Sequence, residues 1–216
     1  MQCPAMMRDG SNFFLSLNMA NMSTSKTKTL LVRAPSKLLS NGVVTHIEDS
    51  RSSVNIELAQ SQWKAYADTF LQKGWNVETV PPQEDCPDGV FIEDAVVYFS
   101  RPLIEAEEGS SRGLMLLCRA GHPSREEERK TVQTKVNALQ INANGSEFSE
   151  FDIEEIKEPG TLDGGDVLKI EKESIIYVGR GGRTNASGIA QLRQLLTARG
   201  YTVVAVPMTK ALHLSK

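Results

Sequence analysis

Short apolar runs, each paired with a stretch of helical spacing, set the rhythm of this chain. The first run, Thr29-Leu30-Leu31-Val32, has the length and composition of a buried strand. A helix is predicted over about 54–73, where Ala59, Trp63, Tyr66, Ala67 and Phe70 recur on one stripe. Gly74 stops it, and residues 75–80 read as a strand closed by Pro81-Pro82.

Two longer stretches then repeat one plan. The first predicts strands at 90–99 and 113–118, a helix at about 125–139 and a strand at 151–156. Ser124, with Glu127 three residues on, reads as a capping box at that helix start. The second predicts strands at 166–170 and 174–178, a helix at about 186–199 ended by Gly200, and a strand at 201–206. In both, an aspartate sits on the first strand (Asp94, Asp166) and an arginine near the helix start (Arg125, Arg183). Repeated ββαβ units predict an α/β fold with modules around a common centre, a propeller rather than a doubly wound sheet. Groups at equivalent places in the modules then converge on one axis. A third copy opens at Ala211-Leu212-His213-Leu214 and stops at Lys216, so the expected ring is incomplete, lacking its last blade or blades. Residues 1–28, aperiodic and rich in Met, Ser and Asn, are expected to form a disordered tail before a partial propeller domain at 29–216.

Composition narrows the partners. A net charge of −3, with 24 basic against 27 acidic side chains, points to neither nucleic acid nor an anionic membrane. No apolar run approaches the ~20 residues of a membrane-spanning helix. Three scattered cysteines (Cys3, Cys86, Cys118) make no disulfide framework, which favours a reducing, cytoplasmic setting. His46, His122 and His213 fall into no metal-ligand spacing with them, and no metal or other cofactor is expected.

Four segments carry candidate chemistry. Pro87-Asp88-Gly89-Val90-Phe91-Ile92-Glu93-Asp94 sets three carboxylates around an apolar strand. Neighbours on a strand point to opposite faces, so one of Glu93 and Asp94 must face inward. A buried carboxylate needs a partner, and a guanidinium is its best planar match, whether from within the protein or from a ligand. Arg125 and Arg183 lie at predicted helix N-termini, where backbone N–H groups already favour anions. Gly179-Arg180-Gly181-Gly182-Arg183-Thr184 falls short of a dinucleotide fingerprint, because Thr184 stands where the third glycine belongs. Thr161-Leu162-Asp163-Gly164-Gly165-Asp166 reads as a turn, or as the place of an acid that orients a histidine. His213 stands in an apolar Leu-His-Leu setting.

Taken in order, these segments, with Ser124-Arg125 and Leu212-His213-Leu214, resemble the dimethylarginine dimethylaminohydrolases of the guanidino-group-modifying superfamily. The similarity runs from about Leu30 to Lys216. It implies a five-bladed, pentein-like ββαβ propeller that hydrolyses N-omega-methylated arginines to citrulline and methylamine or dimethylamine, with a small molecule as its partner. By position, the resemblance implies that Asp88 holds the substrate α-amino group and that Phe91 lines the pocket. Glu93 and Asp94 then flank the guanidinium, Arg125 and Arg183 hold the α-carboxylate, and the backbone carbonyl at Val43 touches substrate. His213 is implied to be the catalytic acid–base, supported by Asp163. A nucleophilic cysteine is also implied, near the C-terminus of the family's chain. Cys118 instead ends an apolar strand, Cys86 lies among carboxylates that disfavour a thiolate, and Cys3 is in the tail. A chain that only binds arginine derivatives and an arginine deiminase-type enzyme are the alternatives, and a homo-oligomer stays possible.

Overall fold

Residues 28–43, 54–100, 112–141 and 151–215 are described by the computed structural model, so the expected tail lies outside them, Lys28 aside. β1 (Thr29–Val32) and β2 (Asn76–Thr79) pair in parallel through α1 (Ile56–Gln72). The Asn55 side chain accepts the Leu58 N–H at the start of α1, and Gly74, at φ 77°, takes the left-handed turn that ends it.

The two expected repeats are present. The first comprises β3 (Val96–Phe99), β4 (Gly113–Leu117), α2 (Glu128–Ile141) and β5 (Phe151–Glu155). β4 runs antiparallel to β3 and parallel to β5. The second comprises β6 (Val167–Ile170), β7 (Ile175–Arg180), α3 (Ala186–Thr197) and β8 (Thr202–Pro207), with β7 central in the same sense. These are α/β propeller modules, and among the described residues their two sheets and the β1–β2 pair stay separate rather than closing a ring.

β4 explains how the repeats pack. All five of its residues are buried, which is why Gly-Leu-Met-Leu-Leu shows no polar alternation. Leu114 and Leu116 join a core with Ile176, Val178, Leu192 and Leu196 of the second repeat. Met115 and Leu117 point to the other face, into a cluster with Val80, Val132, Val136 and Phe151. One strand thus serves two cores.

Two local expectations are corrected. The strand expected at 90–99 begins only at Val96, because the stretch before it winds into successive tight turns. Gly89, Phe91, Asp94 and Ala95 each donate their N–H to the carbonyl three residues back. The carbonyls of Asp88 and Phe91 also receive Arg125, so they are not available to a strand ladder. The Ser124–Glu127 capping box does not form. His122 Nδ1 accepts the Ser124 N–H instead, Pro123–Arg125 makes a 3₁₀ turn, and α2 starts at Glu128.

The turn Gly164–Asp166 packs against the turn Ile92–Asp94, locking one repeat to the other. Gly164 is required there, since a Cβ would overlap the Glu93 carbonyl oxygen and press on Val97 Cγ2. Backbone cannot yield as a side chain can, so Gly164→Ala is expected to destabilise by about 1–3 kcal/mol in urea unfolding. Gly182→Ala, where an added Cβ meets open space, is expected to stay within about 0.5 kcal/mol. Equal effects of the two would contradict this account of the turn.

Candidate active site

Equivalent positions in the two repeats deliver equivalent aspartates. Asp94 and Asp166 each end a 3₁₀ turn just ahead of the first strand of their repeat. His213 lies between them, 3% exposed. Its Nδ1 is 3.2 Å from Asp166 Oδ1 and its Nε2 is 3.6 Å from Asp94 Oδ2. The histidine segment is tied to the second turn, because Ser215 donates both its N–H (3.0 Å) and its hydroxyl (2.5 Å) to the Gly165 carbonyl. Gly165 leaves room for this approach: a Cβ there would sit 2.5 Å from Asp94 Oδ1 and 3.0 Å from His213 Cγ.

Asp94 is the inward-facing carboxylate that the sequence required, while Glu93 is exposed. Strand alternation is not the cause, since both residues lie in the turn. Asp94 Oδ1 accepts the Gly165 N–H at 2.9 Å and Oδ2 accepts Arg125 Nη1 at 2.6 Å. Arg125 Nε and Nη2 also chelate Glu128, at 3.0 and 2.8 Å, in a planar fork. Burial pushes the Arg125 pKa down, but the hydrogen bonds and charges of Glu128 and then Asp94 outweigh it. The pKa is held above its ordinary value and the guanidinium stays charged.

Asp88 is anchored beside them. Its Oδ2 accepts the Val43 N–H at 2.9 Å, and its approach depends on Gly42, where a Cβ would come within 2.6 Å of Oδ1. Asp163 is wholly buried. Its Oδ1 accepts the Gly121 N–H at 2.9 Å, while Oδ2 has no hydrogen-bond partner among the described residues and lies 3.9 Å from Arg183 Nη1. Burial raises the Asp163 pKa against the pull of the Gly121 N–H, and the charge of Asp94 adds to the rise.

A cavity of about 170 Å³ is lined by Val43, Asp88, Phe91, Asp94, Arg125, Arg183, Leu212 and His213. It gathers every residue to which the resemblance gives a site role except Glu93 and Asp163. Glu93 lines a different cavity of about 860 Å³, mainly apolar, between α1, β1 and β3, which holds none of the histidine chemistry. The resemblance gives Asp163 the support of His213, but the ring's hydrogen bond is made by Asp166. Asp94, Asp163 and His213 do bring ligand atoms within 4.8 Å of one another, the set of described residues best placed to surround a cation. All three are already engaged: Asp94 accepts from Arg125 and Gly165, Asp163 accepts from Gly121, and the His213 ring meets the Asp166 carboxylate.

Cys86 and Cys118 are free, buried thiols, and neither lines the 170 Å³ cavity. Burial pushes both pKa values up; Asp163, Asp94 and Asp166 push Cys118 further. Cys3 lies outside the described residues. Sequence reasoning did not assign site roles to Glu128, Asp166, Thr184 or Leu212. The i,i+3 spacing of Arg125 and Glu128 was the available signal for the first. The rest depend on contacts between distant segments.

Asp163 should leave a mark on pH-dependent stability. Its pKa in the folded chain lies above that of the unfolded chain, about 3.9. As pH rises through that range the unfolded chain releases its proton first, so stability falls until the folded group also ionises. Asp163→Asn removes this loss and can keep the Gly121 hydrogen bond. Thermal melts are expected to favour the variant over wild type more at pH 7 than at pH 4. A variant-to-wild-type difference that does not change with pH would contradict the reading.

No protein-family model matches the sequence. Over 188 residues the chain is 45% identical to the N(G),N(G)-dimethylarginine dimethylaminohydrolase of Streptomyces coelicolor, a match covering 87% of this chain and 63% of that relative. The chain therefore spans somewhat less than two thirds of the curated relative's length. The Pseudomonas aeruginosa dimethylarginine dimethylaminohydrolase, solved as a cysteine-to-serine variant complexed with citrulline, has a TM-score of 0.68 and 26% identity. That match covers 87% of this chain and 64% of that one. The N-terminal domain of ArgZ, a cyanobacterial arginine dihydrolase, shares the fold at a TM-score of 0.64 and 20% identity, over 84% of this chain and 58% of that one. Over 87% of its length this chain is therefore similar in sequence and in fold to dimethylarginine dimethylaminohydrolases.

Proposed function

We propose that this chain supplies the substrate clamp and the acid–base histidine of an enzyme hydrolysing N-omega-methylated arginines to citrulline and methylamine or dimethylamine. One observation carries the reading: a single small cavity is lined by Asp88 and Asp94, by Arg125 and Arg183 of opposite charge, and by His213. Such a lining suits a molecule that is cationic at both its amino and guanidinium groups and anionic at its carboxylate. Asp94, fixed by Arg125 and Gly165, offers a stationary charge to the guanidinium. Asp88 takes the α-amino group. Arg183 meets the carboxylate, and Arg125, whose fork is occupied by Glu128, adds its charge to that end.

In this scheme a cysteine thiolate attacks the guanidinium carbon, and the carboxylates keep that carbon cationic and positioned. His213 gives a proton to the departing amine, then takes one from the water that releases citrulline and regenerates the thiolate. The buried thiols Cys86 and Cys118 do not suit the nucleophile's role, so it comes from outside the described residues. With only three scattered cysteines, the chain is read as working in a reducing, cytoplasmic setting. The same burial favours a second reading, in which this chain binds arginine derivatives without turning them over.

Calorimetry and citrulline release on the purified 216-residue chain separate these readings. Asymmetric dimethylarginine is expected to bind, and Arg183→Ala to weaken binding by roughly tenfold or more, the loss of a charge-assisted hydrogen bond. Citrulline that disappears in His213→Ala would mark a working enzyme. Binding without citrulline would leave the clamp alone, and absence of binding would overturn both readings.

A further inference from the structure

The geometry points to Asp166, braced by Thr184, as the positioning residue that fixes the tautomer of His213. The inference deepens the reading of His213 as acid–base and rests on it for its catalytic meaning.

A neutral imidazole carries one proton, and its location follows the better acceptor. Asp94 faces Nε2 at 3.6 Å, but both its oxygens are already engaged, Oδ1 by the Gly165 N–H and Oδ2 by Arg125 at 2.6 Å. Asp166 faces Nδ1 at 3.2 Å with Oδ1. Its other oxygen is held by the Thr184 hydroxyl at 2.5 Å, which fixes the carboxylate plane and leaves Oδ1 for the ring. Thr184 is itself immobilised: it is wholly buried and its hydroxyl oxygen accepts the Asp163 N–H at 3.1 Å. Gly179 lets Asp166 sit close to the strand, since a Cβ there would lie 3.2 Å from Oδ1.

Asp163 makes no such contact with the ring. Its Oδ1 accepts from Gly121, and its Oδ2 is without a hydrogen bond among the described residues. The proton therefore resides on Nδ1, donated to Asp166, and Nε2 keeps its lone pair on the side of Asp94, where it can take and return a proton. Asp163 contributes to this relay only through its backbone N–H.

The test needs no substrate. In the 216-residue chain with ¹⁵N-labelled histidine, the ring-nitrogen shifts of His213 at alkaline pH report the neutral tautomer. Wild type is expected to favour Nδ1–H by roughly tenfold or more, as a carboxylate acceptor dictates. Asp166→Ala should turn the ring to mainly Nε2–H, Thr184→Val should move it part of the way, and Asp163→Asn should leave it at Nδ1–H. A wild-type ring in the Nε2–H form would overturn the proposal. So would an Asp163→Asn ring that flips while the Thr184→Val ring does not. Should Asp166→Ala not fold, the wild-type, Thr184→Val and Asp163→Asn spectra still decide. A chain that binds no dimethylarginine would sink the functional reading while leaving this result intact.

Discussion

Arg125 is a cation with almost no access to water, kept charged by the carboxylates of Glu128 and Asp94. It joins Glu128 through a two-pronged fork and Asp94 through a 2.6 Å bond, and it caps the carbonyls of Asp88 and Phe91. One side chain thereby ties the start of α2 to the turn that carries Asp88, Phe91 and Asp94. Asp94 extends the tie across the repeats by accepting the Gly165 N–H. Removing one partner of such a buried pair typically costs about 3–5 kcal/mol, because the other charge is left uncompensated. A well-packed apolar replacement of both is often tolerated, so the pair's role here is to fix where its carboxylate and guanidinium stand. Arg33 repeats the theme nearby, donating to Thr131 Oγ1 at 2.6 Å and to the Glu128 carbonyl at 3.0 Å.

The repeat turns this local arrangement into a site. Each unit ends a short turn in an aspartate before its first strand, and the two turns touch because Gly164 and Gly165 have no side chains. His213 enters the gap from the segment after β8 and finds one aspartate at each ring nitrogen. The cavity beside it inherits opposite charges from the same turns and from the arginines ahead of α2 and α3. Site and fold are one construction, since the contacts that join the repeats are also the walls of the cavity.

Much of this was legible in the sequence. Runs such as Gly-Leu-Met-Leu-Leu and the stripes of α1 and α3 announce themselves by apolar spacing, and the ββαβ repetition gives the order of strands. The requirement that one of Glu93 and Asp94 be buried with a cationic partner also held, with Arg125 as that partner. Its geometry did not follow from strand alternation, because Arg125 draws on the carbonyls of Asp88 and Phe91 and favours turns where a strand was expected. Glu128 was hidden in a run of three glutamates, two of them exposed and one with only 2% of its surface accessible. Which acid meets His213 was beyond sequence reasoning. Asp163 and Asp166 are three residues apart, and the choice between them depends on Thr184 and Ser215, brought in from the segments that follow β7 and β8.

The Asp94–Arg125 pair organises the site as a unit. A double-mutant cycle with Asp94→Asn and Arg125→Met, read by urea unfolding, tests it most directly. Strong coupling is expected: each single change is costly, and the double variant is about 2–3 kcal/mol more stable than the sum of the two losses implies. Losses that add to within about 0.5 kcal/mol would contradict it, and would reduce the pair to two neighbouring charges held in place by the rest of the fold.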